Sequence, residues 1–406
     1  MKVTISPFAN NQKYPRIIIK PGREAALLRG HPWLFSGAVT SVEGDPEPGE
    51  TVVAVTHSGA PLAIGFFNPL SEITFRLLTT DTTATVDHHF WRQRIRSAVA
   101  LRQKVVPPQT TAYRLINAEG DRMPGLVVDR YGDYLVFSVG TAGVEKCRQT
   151  VLDVLIEEIK PLGIYEHSEG RARQLEGLED RVCPVYGRDI PETVEITENN
   201  LYFEVNIVSG QKTGFFLDQR PNRELIEHLS YRAMVLDCFS YTGAFSVYSA
   251  RGGAKKVISI ETSAQANELA KRNLEINGFS PGEHPIIRAD VFAYLRETDE
   301  LFDLIILDPP AFAKSKRDVA RSARGYKDIN LYAMRRLTEG GILATFSCSN
   351  HIDEALFEKI VLSAVRDAGK TAQILGKLGP GPDHPTNLAH REGRYLKGLL
   401  LSISTS

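Results

Sequence analysis

The sequence predicts an α/β protein whose largest domain is a doubly wound, mostly parallel sheet. Between residues 233 and 347, apolar strand-like runs alternate with helical stretches, and the runs read AMVLDCF, KKVISIE, PIIRAD, FDLIILD and GILATFS. This alternation is typical of β-α-β units, which place helices on both faces of a sheet. Earlier in the chain, short β-branched and aromatic runs are separated by Gly, Pro and Asn, which predicts a β-rich unit ahead of the sheet.

The composition is that of an ordinary globular protein. The chain has 406 residues, of which 42% are hydrophobic and 24% charged, and this indicates two to three domains. No run approaches the ~18 apolar residues of a membrane-spanning helix, and the first residues contain no apolar targeting segment, so we expect a cytoplasmic protein. The four cysteines, at positions 147, 183, 238 and 348, show no CxxC spacing. We therefore expect free thiols and no metal site.

Residues 1–78 form the predicted β-rich domain. The runs RIII, ETVVAVT, PLAIGFF and ITFRLL read as short strands, and GREAALLRG reads as one helical piece. This pattern resembles the PUA domain, an RNA-binding pseudobarrel. A β-rich accessory domain with no role in RNA binding is the alternative.

Residues 79–190 predict a small α+β middle domain. A helix over residues 87–105 leads to two strands around the turn Tyr131-Gly132-Asp133, and a second helix is expected near residues 143–159. No catalytic set of residues stands out in this stretch. Its conspicuous polar residues are interpreted as turn residues, namely Arg114, Asn117, Glu119 and Asp121.

Residues 191–406 predict the parallel-sheet domain. A hairpin over residues 192–208 opens it, with a turn at Asn199-Asn200. In parallel α/β sheets, ligands bind at the carboxyl ends of the strands, so each strand end of this domain is a candidate site.

Acidic residues follow the first three strands of this domain. The first strand ends near Asp237, the second on Glu261 and the third on Asp290, which Val291 follows. Carboxylates at these places accept hydrogen bonds from ribose hydroxyls and an adenine amino group, whereas they repel a pyrophosphate. The first turn also has a single glycine, in Thr242-Gly243, where a dinucleotide fingerprint has three. We therefore predict S-adenosylmethionine as the cofactor.

The fourth and fifth strand ends suggest a substrate side. The fourth strand ends in ILDPPAF, where Pro309 and Pro310 predict a stiff turn that lets Asp308 face a planar base, with Phe312 near enough to stack. The fifth strand lies in GGILATFSCSNHID and ends beside Cys348. A cysteine after a buried strand is most often a small core residue. Because this thiol lies at the ligand-facing end, next to the DPP strand, we interpret it as a nucleophile; Cys238 is interpreted as a packing residue.

Five motifs in order resemble one enzyme family. They are SGQKTGFFLDQRPNR, LDCFSYTGAFS, DPPAFAKSK, RGYKDIN and FSCS, and behind a PUA-like domain they resemble the bacterial PUA-containing 23S rRNA cytosine-C5 methyltransferases. The resemblance covers essentially the whole chain. It implies a class I methyltransferase domain with a Rossmann-like sheet that binds S-adenosylmethionine, closure of Lys212 to Arg220 over that cofactor, and Cys348 as the nucleophile.

The motifs also imply a set of site residues. Catalytic roles fall to Cys348 and Asp308. The expected cofactor-binding residues are Lys212, Gly214, Phe216, Arg220, Asp237, Phe239, Ser240, Tyr241, Thr242, Gly243, Glu261, Thr262, Ser263, Asp290, Val291, Asp308 and Pro309. The expected substrate-binding residues are Pro310, Phe312, Lys314, Lys316, Arg324, Tyr326 and Lys327. The expected partner is 23S rRNA, with no membrane, and a homodimer is one option for the assembly.

Cytosine C5 methylation explains why a thiol is needed. Thiolate attack on C6 makes C5 nucleophilic, and covalent catalysis of this kind divides one difficult step into easier ones. A free cysteine titrates near 8.5, so a nearby cation must favour the thiolate, and Lys212, Arg220 or the basic run at residues 314–327 are candidates. That run and a second one at residues 92–104 are also expected to contact RNA phosphates, although such runs are often only solvated faces.

Three rival functions stay open at this point. A methyltransferase of a base amine or of guanine N7 would use Asp308 and Phe312 without a covalent thiol. A non-catalytic RNA-binding assembly factor would retain the cofactor fold. An NAD-dependent oxidoreductase is disfavoured because the G-x-G-x-x-G fingerprint is missing.

Overall fold

A computed structural model gives the structure of the chain. It describes residues 14–187, 189–210, 213–312 and 316–405, with Lys316 described by its backbone alone. The chain divides into two compact units. The first unit contains residues up to Val194, together with Asn206–Phe215 and Pro382–Gly393. The second unit contains Glu195–Val205, Phe216–Gly381 and the residues from Arg394 onward. Within the described ranges, no helix has the length and apolar character needed to cross a membrane.

The first unit begins with the predicted β-rich part. Its elements are β1 (Arg16–Ile19), α1 (Ala25–Leu28), β2 (Trp33–Phe35), β3 (Val39–Glu43), β4 (Thr51–Val55), β5 (Pro61–Phe67) and β6 (Ile73–Thr79). The six strands form one sheet in the order β2-β6-β5-β4-β1-β3. Apolar residues of the strands, such as Ile17, Val52 and Phe75, are fully buried in its core.

The same unit contains an α+β part. Its elements are α2 (His88–Val105), β7 (Ala112–Asn117), β8 (Leu126–Tyr131), β9 (Tyr134–Val139), α3 (Ala142–Lys146), α4 (Arg148–Ile159), β10 (Gly163–Ser168), α5 (Arg171–Leu175) and β11 (Arg181–Tyr186). Asp87 starts α2 by accepting a hydrogen bond from the Phe90 amide at 3.0 Å. The helix expected near residues 143–159 is instead two helices, which meet at Cys147.

The second unit follows a hairpin. The hairpin strands are β12 (Thr193–Glu198) and β13 (Leu201–Asn206), and Asn199 and Asn200 between them both have positive φ, 50° and 65°, as the predicted two-residue turn requires. The remaining elements are α6 (Arg220–Leu229), β14 (Met234–Cys238), α7 (Ala244–Arg251), β15 (Lys256–Glu261), α8 (Ala264–Ile276), β16 (Ile286–Arg288), α9 (Val291–Glu297), β17 (Phe302–Leu307), α10 (Val319–Arg335), β18 (Leu337–Ser347), α11 (Glu354–Asp367), β19 (Lys370–Leu378) and β20 (Lys397–Thr405).

Seven strands of the second unit form one twisted sheet. Their order is β16-β15-β14-β17-β18-β20-β19, and the pairs from β16 to β18 are all parallel. Only β20 runs antiparallel to its neighbours β18 and β19. The predicted doubly wound, mostly parallel sheet is confirmed, and the carboxyl ends of its five parallel strands lie at one edge.

A buried ion pair lies beside this sheet. The carboxylate of Glu198 accepts two hydrogen bonds from the guanidinium of Arg223, both at 2.7 Å, and one from the Tyr248 hydroxyl at 3.0 Å. Glu198 and Arg223 are at most 1% exposed. They join the hairpin to α6, so the hairpin is fixed by charge as well as by apolar packing.

We expect Glu198→Gln to destabilise the protein strongly, because it removes the charged carboxylate that accepts two hydrogen bonds from the buried Arg223 guanidinium. Removing one partner of a buried pair costs about 3 to 5 kcal/mol. Urea-induced unfolding measures the loss. Glu268→Gln is the matched control, since Glu268 makes only an exposed pair with Lys271 and should leave the unfolding curve unchanged. Equal unfolding curves for the two variants would show that the buried pair is not stabilising.

Candidate active site

Asp237 lies in β14 and is 1% exposed. Its Oδ2 accepts a hydrogen bond from the Ser246 hydroxyl at 2.6 Å, whereas its Oδ1 has no hydrogen-bond partner within the described residues. Burial raises its pKa to about 7, and the negative charges of Asp308 and Glu261 act in the same direction. A buried carboxylate oxygen without a partner, close to two further acids, indicates a site for a cationic or hydrogen-bond-donating ligand.

The turn after β14 has a strained backbone. Phe239 and Tyr241 have φ of 62° and 49°, in the left-handed region that non-glycine residues seldom adopt. Gly243 also has positive φ, and a Cβ there would lie 3.0 Å from the Ala270 Cβ. The buried hydroxyl oxygens of the two residues between them, Ser240 and Thr242, have no partner in the described part of the chain. The turn therefore holds buried polar atoms that a ligand would satisfy.

Glu261 and Asp290 each support the backbone. Glu261 Oε1 accepts the amides of Thr262 at 2.7 Å and Ser263 at 2.9 Å, and Oε2 accepts the Tyr241 amide at 3.2 Å. Asp290 caps α9 by accepting the Ala293 amide at 2.9 Å. Glu261 Oε1 also accepts the Thr262 hydroxyl at 3.1 Å, so Oε1 is saturated. Each carboxylate oxygen has about two acceptor sites, so Glu261 Oε2 and the Asp290 carboxylate are the atoms with capacity for a ligand.

Aromatic rings line the same edge of the sheet. The Phe292 ring centroid lies 6.5 Å from that of Phe239 and 6.0 Å from that of Phe312. The Phe312 ring lies 4.6 Å from Tyr326, which is fully buried and whose hydroxyl lies 3.0 Å from Ser349 Oγ. Tyr326 thus packs beneath Phe312, and Phe312 is the partly exposed ring of the pair.

Cys348 lies directly after β18 and is partly exposed. Its Sγ is 3.9 Å from the carbonyl oxygen of Pro309, in the turn that follows β17 and Asp308. The structure therefore brings the predicted nucleophile next to the DPP turn. Cys238 differs, because it is fully buried and burial raises its pKa well above the ordinary value of a thiol, with Asp237 adding to the effect. Cys348 is the more reactive of the two thiols on these grounds.

The remaining predicted residues have varied surroundings. The Phe216 ring packs edge-on to Tyr241, with centroids 5.4 Å apart, and Arg220 is buried at the start of α6. Gly214 lies in the first unit.

The predicted substrate-binding residues on α10 also differ from one another. Arg324 is exposed, whereas the Lys327 ammonium lies 2.6 Å from the Asp367 carboxylate. Three predictions fall outside the described residues, namely Lys212, Lys314 and the side chain of Lys316.

Sequence reasoning missed Lys397, the first residue of β20. It pairs in register with Ser347, and its Nζ donates hydrogen bonds to the carbonyl oxygens of Ser349 at 2.7 Å and Ile352 at 2.5 Å. No sequence motif marks Lys397. The antiparallel pairing of β20 with β18 brings it to the end of β18, and the local sequence does not show that pairing.

Two family models match the chain. One describes a PUA-like domain and matches residues 17–80, and the other describes an S-adenosylmethionine-dependent methyltransferase and matches residues 147–387. Among curated proteins, the chain is 43% identical to ribosomal RNA large subunit methyltransferase I of Aeromonas salmonicida, over 95% of this chain and 98% of that protein. The protein of the same name from Vibrio cholerae is 42% identical over 96% and 99% of the two chains.

Solved structures share the fold. A SAM-dependent methyltransferase from Streptococcus mutans superposes with a TM-score of 0.82 and is 24% identical, over 95% of this chain and 99% of that one. A second methyltransferase structure, complexed with SAH, gives a TM-score of 0.83 at the same identity and coverage.

The residues of this site fit S-adenosylmethionine as the cofactor. The buried oxygens without partners, Asp237 Oδ1, Ser240 Oγ and Thr242 Oγ1, lie along one strand and its turn. Glu261 ends β15, and Asp290 lies between β16 and α9, so both carboxylates stand at the strand ends where we expect an adenosine. The acids together suit a ligand that carries a sulfonium and an amino group.

We expect the affinity for S-adenosylmethionine to increase as the pH rises through about 7. Asp237 loses its proton over that range, and its negative charge then favours a cationic ligand. With a pKa of about 7, the ionised fraction and hence the affinity should rise about tenfold between pH 6 and 8. Titration calorimetry at several pH values measures this.

Asp237→Asn keeps the shape but cannot ionise, so it should flatten this pH dependence. SAH, which has no sulfonium charge, is the control ligand and should show a smaller dependence in the wild type. The account of Asp237 would be wrong if the variant and the wild type showed the same dependence.

Proposed function

We propose that this chain, which belongs to the S-adenosylmethionine-dependent methyltransferase family of ribosomal RNA large subunit methyltransferase I, methylates C5 of a cytosine in 23S rRNA. Relatives that are more than 40% identical over nearly their whole length make it an S-adenosylmethionine-dependent rRNA methyltransferase. The choice of cytosine C5, and of a covalent route to it, is our proposal.

The position of Cys348 carries the proposal. Methylation of a base amine or of guanine N7 uses atoms that are already nucleophilic, so a carboxylate and a stacking ring suffice. Cytosine C5 is a poor nucleophile and needs covalent activation. A partly exposed thiol 3.9 Å from the carbonyl of Pro309, the residue after Asp308, would supply the group that only the C5 reaction requires.

The covalent route begins with addition of Cys348. The thiolate adds its electron pair to cytosine C6, which forms the S–C6 bond, saturates the 5,6-bond and makes C5 nucleophilic. When bound, S-adenosylmethionine would supply an electrophilic methyl group to C5, and the methyl–sulfur bond would break with release of the neutral thioether SAH. A base then removes the C5 proton, the 5,6-bond forms again and Cys348 leaves as the thiolate.

Asp308 and Phe312 would hold the base during these steps. Asp308 follows β17 directly, and its carboxylate would accept a hydrogen bond from the cytosine N4 amine. Phe312 would stack on the ring, supported from beneath by Tyr326. Because C5 and C6 are reached only on an unstacked base, we expect the target cytosine to lie in a loop or in a helix that opens.

RNA contact in the first unit would use an arginine-lined cleft, a cavity of about 570 Å³. Its walls include Arg29, Arg94 and Arg122. The positive charge of Arg122 lowers the pKa of Arg94, although burial of Arg94 is the larger cause. Glu119 also lines the cleft, but it already accepts a hydrogen bond from the Trp33 indole at 2.9 Å. Like charges that face one cavity favour an anionic ligand such as an RNA phosphate.

The sequence suggested that the run at residues 92–104 contacts RNA, but most of its arginines pair with acids of the same unit. Arg92 and Arg96 form ion pairs with Glu157 and Glu158 on α4. Arg102 is buried and donates to both carboxylate oxygens of Asp121, at 2.6 and 2.7 Å. Most of this run therefore holds the middle part of the unit together, and Arg94 is the member that faces the cleft.

We expect Cys348→Ser to abolish turnover while the fold and cofactor binding persist. The exchange is nearly isosteric, but a serine hydroxyl does not ionise near neutral pH, so methyl transfer should fall by several orders of magnitude. Transfer of labelled methyl to unmodified rRNA measures the rate. Cys183→Ser, which replaces a thiol on β11, is the matched control and should stay active. A Cys348→Ser enzyme of near wild-type rate would favour amine methylation instead.

We also expect Arg94→Gln with Arg122→Gln to weaken RNA binding and to reduce its salt dependence. For every phosphate that the protein no longer neutralises, the slope of log affinity against log salt should decrease by about 0.7 to 0.9. Arg92→Gln with Arg96→Gln removes the same amount of charge but only breaks pairs with α4, so it should leave the slope unchanged. Equal slopes for the two double variants would remove the cleft from the RNA-binding surface.

A further inference from the structure

Lys397 is held against the loop that carries Cys348. It stands opposite Ser347, the last residue of β18, in the antiparallel pair of β18 and β20. Its two hydrogen bonds go to the carbonyl oxygens of Ser349 and Ile352, which follow Cys348 in the chain. Lys397 is only 7% exposed, so its side chain lies in the interior of the protein, against the loop of residues 348–352.

The buried ammonium has no carboxylate in ion-pair contact among the described residues. Burial lowers its pKa to about 8, and the negative charges of Cys348 and Asp353 oppose that effect. Electrostatic interaction is mutual. A thiolate that stabilises the ammonium is itself stabilised by the ammonium to the same degree.

We propose that Lys397 is the positioning residue that holds Cys348 in the thiolate form. Its hydrogen bonds fix the backbone that follows Cys348, and its positive charge favours loss of the Cys348 thiol proton. The sequence suggested Lys212, Arg220 or the run at residues 314–327 for this role, and Lys397 is a candidate that the sequence did not suggest. The inference rests on the proposed function of Cys348 as the nucleophile.

Three other titratable groups among the described residues, Asp308, Asp353 and Tyr326, supply no positive charge to the thiol. Asp308 precedes the Pro309 carbonyl that touches Sγ, and Asp353 caps α11 through the Leu356 amide at 2.8 Å. Both are acids, so their charges disfavour a thiolate. Tyr326 lies on α10, and burial raises its pKa, so it is neutral near pH 7. Within the described part of this surrounding, Lys397 provides the buried positive charge.

The rate at which iodoacetamide alkylates Cys348 between pH 6 and 10 tests the proposal, since only the thiolate reacts. Mass spectrometry follows that one cysteine in the full-length protein. Lys397→Gln still donates hydrogen bonds but has no charge, so the midpoint of its rate profile should rise by at least one pH unit. Alkylation at pH 7 should then be about tenfold slower. Lys397→Arg keeps the charge and should keep the wild-type midpoint.

Lys377→Gln is the matched control. Lys377 is exposed on β19 and pairs with Glu354 and Glu358, so its removal should leave the Cys348 profile unchanged. A Lys397→Gln profile that superimposes on that of the wild type would overturn the proposal. An equal shift in Lys377→Gln would also overturn it, because the effect would then be one of net charge.

If Lys397→Gln does not fold, the titration of Lys397 itself tests the proposal. In Cys348→Ala the thiolate is gone, so the titration midpoint of Lys397, followed by NMR of ¹³C-labelled lysine, should fall relative to the wild type. An unchanged midpoint would overturn the proposal. Neither measurement needs methyl transfer, so a failure of the proposed C5 chemistry, seen as an active Cys348→Ser enzyme, is distinguishable from a failure of the Lys397 assignment.

Discussion

The parallel arrangement of five strands is the constraint on which the rest of the second unit depends. Strands β16, β15, β14, β17 and β18 all run in one direction, so their carboxyl ends meet at one edge. Residues that lie far apart in the chain, such as Asp237, Asp308 and Cys348, are thereby brought to the same edge. We propose that the cofactor binds at the ends of β14, β15 and β16 and the substrate at the ends of β17 and β18.

Several energetically costly features of the second unit lie at this edge. The turn after β14 has two non-glycine residues in the left-handed region, Asp237 is a buried carboxylate, and Lys397 is a buried ammonium. Each of these states is unfavourable unless the surroundings compensate for it. The apolar core that includes Leu236, Ile305 and Leu343 provides that support. The unfavourable states are therefore retained where a cationic cofactor and a reactive thiol need them.

The sequence predicted the parts of this account that local patterns determine. Buried β-branched runs identified the five parallel strands, and Asn199-Asn200 identified the hairpin turn. The order of the acids along the chain led to the predicted cofactor side, because an ordered set at strand ends is a stronger signal than any single residue. The DPP turn and Cys348 were chosen as candidates because they also lie at strand ends, and their roles stay predictions.

The sequence could not predict features that depend on tertiary pairing. Lys397 acts through its register with Ser347, about fifty residues away in the chain, and the intervening strand β19 is an exposed edge strand without a clear alternation. The basic run at residues 92–104 looked like an RNA-binding surface, but the acids that pair with Arg92 and Arg96 lie on α4. Charge patterns in a sequence do not show which partners the fold supplies.

The central claim is that Cys348 forms a covalent bond with the target cytosine, and RNA that contains 5-fluorocytosine tests it most directly. Fluorine replaces the C5 proton that a base must remove, so the enzyme cannot complete the reaction and should remain bound to the RNA. The account predicts an adduct that survives denaturation and maps by mass spectrometry to Cys348. The absence of an adduct from an enzyme that methylates the normal RNA, or an adduct that maps to Cys238, would contradict it.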